Sequence, residues 1–435
     1  MPADNRFDVV LLGATGFTGR QAVRALRIQA GNARWAIAGR NATALQALAD
    51  EGPSAKRPAV LQADTGDAAS LAAIAAQARV LLNVAGPYAT RGDAVVEACI
   101  AHGAHYLDLT GETFWMQRLV RERHDDARRA GVKIIPCAGY EALPFDLATL
   151  WAAHRVRERF GQPCREVKIV VRFTGRRLRS LADAVSGGTA ATMAMVLAHD
   201  HTDCLLNMGC LLPLGTPEAE AAAIARRNAI AWLPQLDADL NVVTAPTLPG
   251  PFINPPVLLR SVALAADATL FTPGFVYREG TNMAAMVPRA AWLPAAATLP
   301  LQWAAAAALS APLANLGAVV AGPLGFERAA LRKLLQAVSP KPGQGPSEAA
   351  LGGSGYAFDL FARAADGQTL RADVTAQGHP GYRSTPDMLV CVGLGLAHGT
   401  LGIDCPDGVV TPATGLGLAA VAALRDAGVE FKLRA

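Results

Sequence analysis

The chain has 435 residues, which at about 150 residues per domain predicts two or three structural units. Apolar residues make up 51% of the sequence and charged residues 17%, so the composition excludes a disordered chain. The net charge is +4, and the basic residues form neither a long run nor a patch interleaved with aromatic residues. We therefore expect no nucleic acid among the partners.

Cysteine usage and the N-terminus predict a cytoplasmic protein without a metal site. The seven cysteines form no C-x-x-C pair and have no histidine at zinc-finger spacing, which predicts free, buried thiols. The first residues, MPADNRFDVVLLGATG, lack the charged, apolar and small-residue regions of a secretory signal. Reduced cysteines are typical of the cytoplasm.

The first 150 residues alternate short apolar strands with amphipathic helices. The predicted strands are residues 8–12, 35–38, 59–62, 80–84, 106–109 and 133–136. The predicted helices are residues 19–29, 43–50, 68–76, 93–102 and 114–130. This alternation predicts an α/β unit with a doubly wound parallel sheet of the Rossmann type.

The pattern changes after about residue 150, where longer strands and proline-rich loops begin. Residues 166–174 are typical of a strand, and residues 356–361 and 369–377 predict a hairpin around Asp366 and Gly367. Helices are predicted at 384–398 and 416–427. We predict a first domain over 1–148, a second over 149–380, and C-terminal helices over 381–435 that pack back onto the first domain.

Residues 290–326 contain no charged side chain and are rich in Ala, Leu, Val and Trp. The segment is long enough to span a bilayer, but four prolines interrupt it, and its many alanines contribute little transfer energy. Three interpretations stay open: a buried or homodimer-interface helix, an acyl-chain or peripheral membrane contact at the inner face of the membrane, and a true span.

The strongest motif is a glycine-rich turn between the first predicted strand and helix. It consists of Gly13, Ala14, Thr15, Gly16, Phe17, Thr18 and Gly19. Glycines allow a tight turn and close approach of a pyrophosphate, and a helix N-terminus offers unpaired N–H groups. The position within a strand–helix–strand unit predicts a dinucleotide site.

The second predicted strand ends before Arg40 and Asn41, where an NAD-binding protein usually has an acidic residue. The Arg40 guanidinium can pair with a 2′-phosphate, which favours NADP(H). The alternative is an exposed arginine at a helix start. Asp64 follows the third strand and is a candidate for contact with adenine or for a helix N-cap.

Further candidates lie where later strands end. The fourth predicted strand leads into Ala85, Gly86, Pro87 and Tyr88, at the sheet edge where a cofactor and substrate cleft is expected. The candidate catalytic residues are Tyr88, Asp108, Glu112, Tyr140, Glu141, Ser186 and Thr189. Alternatively, Asp108 and Glu112 cap the helix that follows them, and Ser186 and Thr189 belong to a plain loop-to-helix turn.

Several motifs together carry a family resemblance. They are GATGFTG at 13–19, AGRN at 38–41, NVAGPY at 83–88, HYLDLTGE at 105–112, PCAGYEALPFDL at 136–147, SGGTAATM at 186–193 and GVVTPATGLG at 408–417. In this combination the chain resembles the saccharopine dehydrogenase-like oxidoreductases, and within them the trans-acting enoyl reductases. Relatives often read CGFDSIPSD where this chain has CAGYEALPFD at 137–146, so the substrate pocket differs.

The resemblance implies an NADP-binding domain, a substrate domain on a mixed sheet, and reduction of an activated double bond. We therefore predict an NADPH-dependent reductase of a hydrophobic acyl substrate, free or carrier-bound, in lipid or polyketide metabolism. One alternative is an imine reductase of the saccharopine type, which needs several arginines at the cleft. This alternative stays open, because four arginines lie close together in sequence: Arg172, Arg176, Arg177 and Arg179. Another is a non-catalytic, NADPH-binding scaffold associated with lipid.

Overall fold

The computed structural model describes residues 6–53, 56–175, 186–196, 202–246, 249–287, 292, 294–308, 310, 333, 339–341 and 343–434. Within these residues the chain builds two seven-stranded sheets. Arg176, Arg177, Arg179 and most of the uncharged segment 290–326 lie outside the described residues.

The first sheet is parallel throughout, with the strand order β3-β2-β1-β4-β5-β6-β13. Its strands are β1 (Phe7–Leu12), β2 (Trp35–Gly39), β3 (Ala59–Gln62), β4 (Ala78–Asn83), β5 (His105–Asp108), β6 (Lys133–Ile135) and β13 (Gly408–Val409). Because helices cover both faces, the central strands are apolar along almost their whole length, as in Val9–Leu12, which is fully buried. The order reverses between β1 and β4, which makes that edge the expected ligand site.

The helices around this sheet follow the predicted alternation. They are α1 (Phe17–Gln29), α2 (Ala42–Asp50), α3 (Ala68–Ala76), α4 (Tyr88–His102) and α5 (Thr113–Arg129). Helix α4 begins five residues earlier than predicted, immediately after a cis Gly86–Pro87 peptide bond. Tyr88 is therefore the first residue of a helix and not a loop residue.

The second sheet is mixed, with the order β14-β12-β11-β7-β10-β9-β8. Its strands are β7 (Cys164–Gly175), β8 (Gln235–Asp237), β9 (Val242–Ala245), β10 (Phe271–Asn282), β11 (Ser354–Ala364), β12 (Thr369–Gln377) and β14 (Val429–Leu433). Strands β7 and β10 are parallel, and all other neighbours are antiparallel. The predicted hairpin is β11–β12, which stays in register from Gly355 opposite Gln377 to Arg363 opposite Thr369.

The remaining helices connect and cover the two sheets. They are α6 (Leu143–Phe160), α7 (Gly187–Val196), α8 (Thr202–Leu205), α9 (Glu218–Arg227), α10 (Gly250–Ala263), α11 (Glu348–Gly353), α12 (Thr385–Ala397), α13 (Pro412–Leu416) and α14 (Ala419–Ala423). Residues 299–308 are also helical. Helix α6 packs on β7, β11 and β12, and α12 packs on α1, β1 and β4.

The C-terminal part differs from the prediction of two helices. The single helix predicted at 416–427 is wrong, because α13 ends at Leu416, Gly417 with a φ of 74° interrupts the chain, and α14 covers only Ala419–Ala423. In addition, β13 extends the first sheet beside β6, and β14 extends the second sheet beside β12. The end of the chain thus contributes to both sheets.

The described part of the uncharged segment exposes aromatic and aliphatic side chains. Trp292 is 82% exposed, and Leu301 and Trp303 are also exposed. Among the helices that the structure describes, none has the length and apolarity required to cross a bilayer. Whether this segment forms an interface, an acyl site or a membrane contact stays a prediction.

Candidate active site

The glycine-rich turn brings three parts of the chain into close contact. Gly13 has a φ of +91°, and a Cβ on it would lie 3.0 Å from the backbone at Val84 and Ala85. A Cβ on Gly19 would lie 2.2 Å from the carbonyl oxygen of Gly13. The first glycine therefore permits contact between the turns after β1 and β4, and the last permits close packing of α1 on β1.

The start of α1 fits an anionic ligand. Gly16 is its N-cap and carries no side chain that could bind the free amides, and the first turn contains no acidic residue. Gly16 is also exposed, and a Cβ there would meet only the Gly13 oxygen, at 3.4 Å. Backbone N–H groups of Phe17, Thr18 and Gly19 at a helix N-terminus are suited to a pyrophosphate.

The residues after β2 leave a guanidinium free for a second phosphate. Arg40 is exposed, and within the described residues its side chain has no hydrogen bond or ion pair. Asn41 is the N-cap of α2 and accepts a hydrogen bond from the Ala44 N–H at 2.9 Å. These observations fit the 2′-phosphate of NADP(H) at Arg40 and assign Asn41 a capping role.

Asp64 is not the helix N-cap that the sequence allowed. Asp67 caps α3 by accepting from the Ala69 N–H, whereas the Asp64 carboxylate accepts from the Gly66 N–H at 2.9 Å. Asp64 is exposed at the carboxyl end of β3, and its contact with adenine stays a prediction.

Tyr88 is buried at the edge between β1 and β4, next to the Ala85–Gly86–Pro87 turn. Its ring stacks on Trp115 with centroids 5.7 Å apart. Its hydroxyl donates to the carbonyl oxygen of Asn83 at 3.2 Å and accepts from the Leu109 N–H at 3.4 Å. Burial raises the pKa of Tyr88 well above its ordinary value, so the phenol stays neutral.

Asp108 belongs to a buried polar network and not to a helix cap. Its carboxylate accepts from the N–H groups of Thr110 and Cys137 and from the Tyr106 hydroxyl, at 2.9, 3.0 and 2.7 Å. Asn83 donates to the same Tyr106 hydroxyl at 3.1 Å. Burial raises the pKa of Asp108 to about 7, against the effect of these hydrogen bonds. The network joins the ends of β4, β5 and β6 beneath Tyr88.

Glu112 also has a different partner from the one that the sequence suggested. It stands at the N-cap position of α5 but makes no side-chain cap there. Its two carboxylate oxygens accept from the N–H groups of Tyr88 and Ala89, at 2.9 and 2.7 Å. A buried carboxylate at the start of α5 therefore caps helix α4 and fixes the backbone that carries Tyr88.

We expect Glu112→Ala to destabilise the protein by about 2–4 kcal/mol, because two charge-assisted hydrogen bonds to otherwise unpaired amides are lost. Urea unfolding followed by circular dichroism measures this. Glu97→Ala on the same α4 is the control, since Glu97 is an exposed partner of Arg123 and should cost less than about 1 kcal/mol. Equal losses in the two variants would show that Glu112 does not cap α4.

Tyr382, which the sequence analysis missed, connects Ser186 and Thr189 with the glycine-rich turn. The Tyr382 hydroxyl accepts from the Ser186 N–H and hydrogen-bonds the Thr189 hydroxyl, both at 2.6 Å. The Tyr382 ring packs edge-on against Phe17, with centroids 5.6 Å apart. Ser186 and Thr189 thus lie near the cofactor turn.

A further segment covers the same turn. Arg20 donates to the carbonyl oxygens of Thr15 and Gly343, at 2.8 and 2.9 Å. A Cβ on Gly345 would lie 2.7 Å from the Phe17 ring, which shows how closely residues 343–346 approach the turn. The Gly187 N–H donates to the Gln344 carbonyl oxygen at 3.0 Å, so this segment also contacts the start of α7.

A small, open cavity of about 50 Å³ lies beside the residues that follow β6. Its described lining is Tyr140, Glu141, Phe145, Val171, Phe173, Pro246, Gly250, Asn254, Glu279, Gly280 and Thr281. None of these side chains is basic. Tyr140 is linked to the dinucleotide edge, because its N–H donates to Thr385 at the start of α12, and Thr385 also contacts Gly139 beside Leu109.

Of the candidate catalytic residues, Tyr140 and Glu141 line this cavity, Tyr88 and Asp108 lie at the adjoining strand ends, and Ser186 and Thr189 do not line it. Asn254 and Glu279 were missed in the sequence, because they stand on α10 and β10 without a recognisable motif around them. Among the described residues, no group of three or more His, Cys, Asp or Glu side chains is arranged to hold a metal ion.

Comparison with known proteins agrees with this geometry. Residues 9–135 match the saccharopine dehydrogenase NADP binding domain family. The trans-acting enoyl reductase of Mycobacterium bovis (strain BCG / Pasteur 1173P2) is 30% identical over 435 residues, which cover 98% of each chain. Protein Rv2449c of Mycobacterium tuberculosis (strain ATCC 25618 / H37Rv), provisionally named as such a reductase, is 31% identical and covers 98% of this chain and 97% of its own.

The fold has a counterpart of known structure. Apo saccharopine dehydrogenase (L-Glu forming) of Saccharomyces cerevisiae superposes with a TM-score of 0.51, at 15% identity, over 98% of this chain and 99% of that one. This likeness shows the fold, with a Rossmann sheet and a second, mixed sheet. The predicted fold class, the NADP(H) cofactor and the family resemblance are confirmed. The chain is an NADP-dependent oxidoreductase and belongs to the trans-acting enoyl reductase family of saccharopine dehydrogenase-like proteins.

Proposed function

We propose that the protein uses NADPH to reduce a carbon–carbon double bond conjugated to the carbonyl group of a hydrophobic acyl substrate. An enoyl thioester in lipid or polyketide assembly is the substrate class that we favour. The names of the full-length relatives support this proposal, and so does the cavity beside the dinucleotide edge, which has aromatic walls and no basic residue among its described lining.

The choice of an acyl substrate rests on the residues that line the cavity. A saccharopine-type substrate has several carboxylates, and their recognition needs arginines or lysines within hydrogen-bond reach. The described lining instead has two carboxyl groups, Glu141 and Glu279, beside Phe145 and Phe173. Arg172 lies on the same strand as Phe173, but its guanidinium is paired with Asp359 at 2.6 Å. An uncharged acyl chain suits such a wall better.

In this proposal, different residues bind the cofactor and the substrate. The amides at the start of α1 bind the pyrophosphate of the cofactor and Arg40 binds its 2′-phosphate, and the cofactor supplies a hydride when it is bound and reduced. Tyr88 borders the nicotinamide end. Tyr140 offers a neutral hydroxyl for the acceptor carbonyl, because burial raises its pKa well above the ordinary value.

Turnover of a substrate panel tests the proposal. The panel contains trans-2-hexenoyl and trans-2-dodecenoyl thioesters, the saturated thioesters as blanks, and an imine formed from an amino acid and a keto acid. We expect NADPH oxidation with the enoyl thioesters, faster for the longer chain because it buries more apolar surface. Turnover of the imine alone would contradict the proposal. Tight NADPH binding without any turnover, together with flotation on liposomes, would favour a scaffold.

A further inference from the structure

Glu141 and Glu279 converge on the N-terminus of helix α10, although 138 positions separate them in the numbering. A Cβ on Gly250, the first residue of α10, would lie 2.9 Å from Glu279 Oε1 and 3.7 Å from Glu141 Oε2. The same point is 3.2 Å from Asn254 Nδ2. The two carboxyl groups therefore share one small volume in the cavity wall, and both face the amide end of the helix.

The surroundings of the two groups are unequal. Glu279 Oε2 accepts hydrogen bonds from Asn254 Nδ2 at 3.0 Å and from the Tyr277 hydroxyl at 2.8 Å. Glu141 Oε2 is buried and has no hydrogen-bond partner within the described residues. Hydrogen bonds from donors stabilise a carboxylate, whereas a buried oxygen without donors favours the protonated acid. These surroundings favour the ionised form of Glu279 and the protonated form of Glu141.

The other titratable groups near the pair are weak acids that stay neutral. Tyr140 and Tyr277 have pKa values raised well above the ordinary value by burial, and the Cys137 thiol donates to the Glu141 carbonyl oxygen at 3.0 Å. Tyr356 packs on Tyr140 and has its pKa raised by burial. The described lining supplies no cation to stabilise a second negative charge. Two like charges at this separation in a buried site are unfavourable, so one proton is retained.

We propose that Glu141 is the proton donor of the reduction and that Glu279 is the charged neighbour that keeps Glu141 protonated. The inference rests on the proposed function. When bound and reduced, the cofactor would supply a hydride, with its two electrons, to the β-carbon of the enoyl group and become NADP⁺, while the electrons of the double bond move to the α-carbon and the carbonyl oxygen. The Glu141 proton then forms the new C–H bond at the α-carbon. Glu141 is left as a carboxylate and regains a proton from water.

The pKa values of the two groups agree with this division of roles. Burial, with the Glu279 charge adding to it, raises the pKa of Glu141 to about 8, against a smaller lowering effect of the Asn254 side chain. Burial raises the pKa of Glu279 to about 7, while the hydrogen bonds from Asn254 and Tyr277 hold it lower. Because the reaction needs protonated Glu141, kcat should fall as the pH rises through about 8.

The test uses full-length Glu141→Gln and Glu279→Gln, with Glu430→Gln on the exposed face of β14 as the control. We expect Glu141→Gln to lower kcat for trans-2-dodecenoyl thioester by roughly 100-fold or more, with unchanged NADPH affinity. In ¹³C-carboxyl NMR, the signal that titrates near pH 8 should be lost in this variant. Wild-type reactions in D₂O should place one deuterium at the α-carbon.

Glu279→Gln gives an independent readout that a merely structural role does not predict. Removal of the neighbouring negative charge lowers the pKa of Glu141, so the alkaline limb of the kcat profile should move to lower pH. An unshifted limb, or Glu141→Gln activity within threefold of the control, would overturn the inference. If Glu141→Gln fails to fold, as judged by its NADPH affinity, the shift in Glu279→Gln decides. A wild-type protein that reduces no enoyl thioester overturns the proposed function instead.

Discussion

Gly19→Ala should abolish tight NADPH binding and destabilise the protein. Alanine in a helix is favoured over glycine by about 1 kcal/mol, but here the new Cβ would lie 2.2 Å from the Gly13 carbonyl oxygen and 2.7 Å from the Ala14 backbone. Because backbone atoms cannot yield as a flexible side chain can, α1 must move away from β1, which costs about 1–3 kcal/mol. The amides of α1 then no longer point at the pyrophosphate.

The expected loss of NADPH affinity is on the order of 100-fold, since two hydrogen bonds to a charged group contribute about 1.5 kcal/mol each. Calorimetric titration measures it. Gly274→Ala on β10 is the control, because its Cβ would meet nothing within 4 Å. Gly16→Ala separates the two effects: it should weaken binding but cost less than about 1 kcal/mol of stability, because alanine is a poorer N-cap than glycine while its Cβ would meet only the Gly13 oxygen, at 3.4 Å. Wild-type affinity in Gly19→Ala would show that the turn does not hold the cofactor.

Arg40→Ala should reduce the preference for NADPH over NADH by roughly 10- to 100-fold. This is the change in affinity expected when one charge-assisted hydrogen bond to a phosphate is lost. The affinity for NADH should not change, because NADH has no 2′-phosphate. The side chain is exposed and unpaired within the described part of the chain, so its removal should not cost stability.

The ratio of kcat/KM for the two cofactors is the measurement for this second expectation. Arg425→Ala, an exposed arginine next to α14, is the control for a change in net charge. An unchanged preference in Arg40→Ala would remove Arg40 from the site. A loss of affinity for both cofactors alike would instead point to a role of Arg40 in the local fold.

The dinucleotide half of the site could be predicted because its signals are local. Residues 13–19 lie next to one another in the chain, and the apolar run of β1 and the periodicity of α1 flank them directly. The same holds for the 85–87 turn after β4 and for Arg40 after β2. The β11–β12 hairpin could also be predicted from a local signal, because the adjacent residues Asp366 and Gly367 favour a turn between its two strands.

The substrate half depends on contacts that no local pattern encodes. Glu279 is on β10, which pairs in parallel with β7, and its carboxyl group lies near that of Glu141 at Gly250, the first residue of α10. Glu112 was expected to cap its own helix, yet its carboxylate binds the amides of α4, 23 and 24 residues away. Strand β13 has only two residues and adopts its conformation through pairing with β6, so its own sequence carries too little signal.

The most direct test of the account follows deuterium in two parallel reactions with trans-2-dodecenoyl thioester. In the first, NADPH with deuterium at both hydrogen positions of nicotinamide C4 is oxidised in H₂O; in the second, unlabelled NADPH is oxidised in D₂O, and mass spectrometry analyses each product. We predict one deuterium at the β-carbon from the cofactor and one at the α-carbon from the solvent. A saturated product without cofactor deuterium, or no saturated product at all, would contradict an active site formed by the glycine-rich turn and the adjoining cavity.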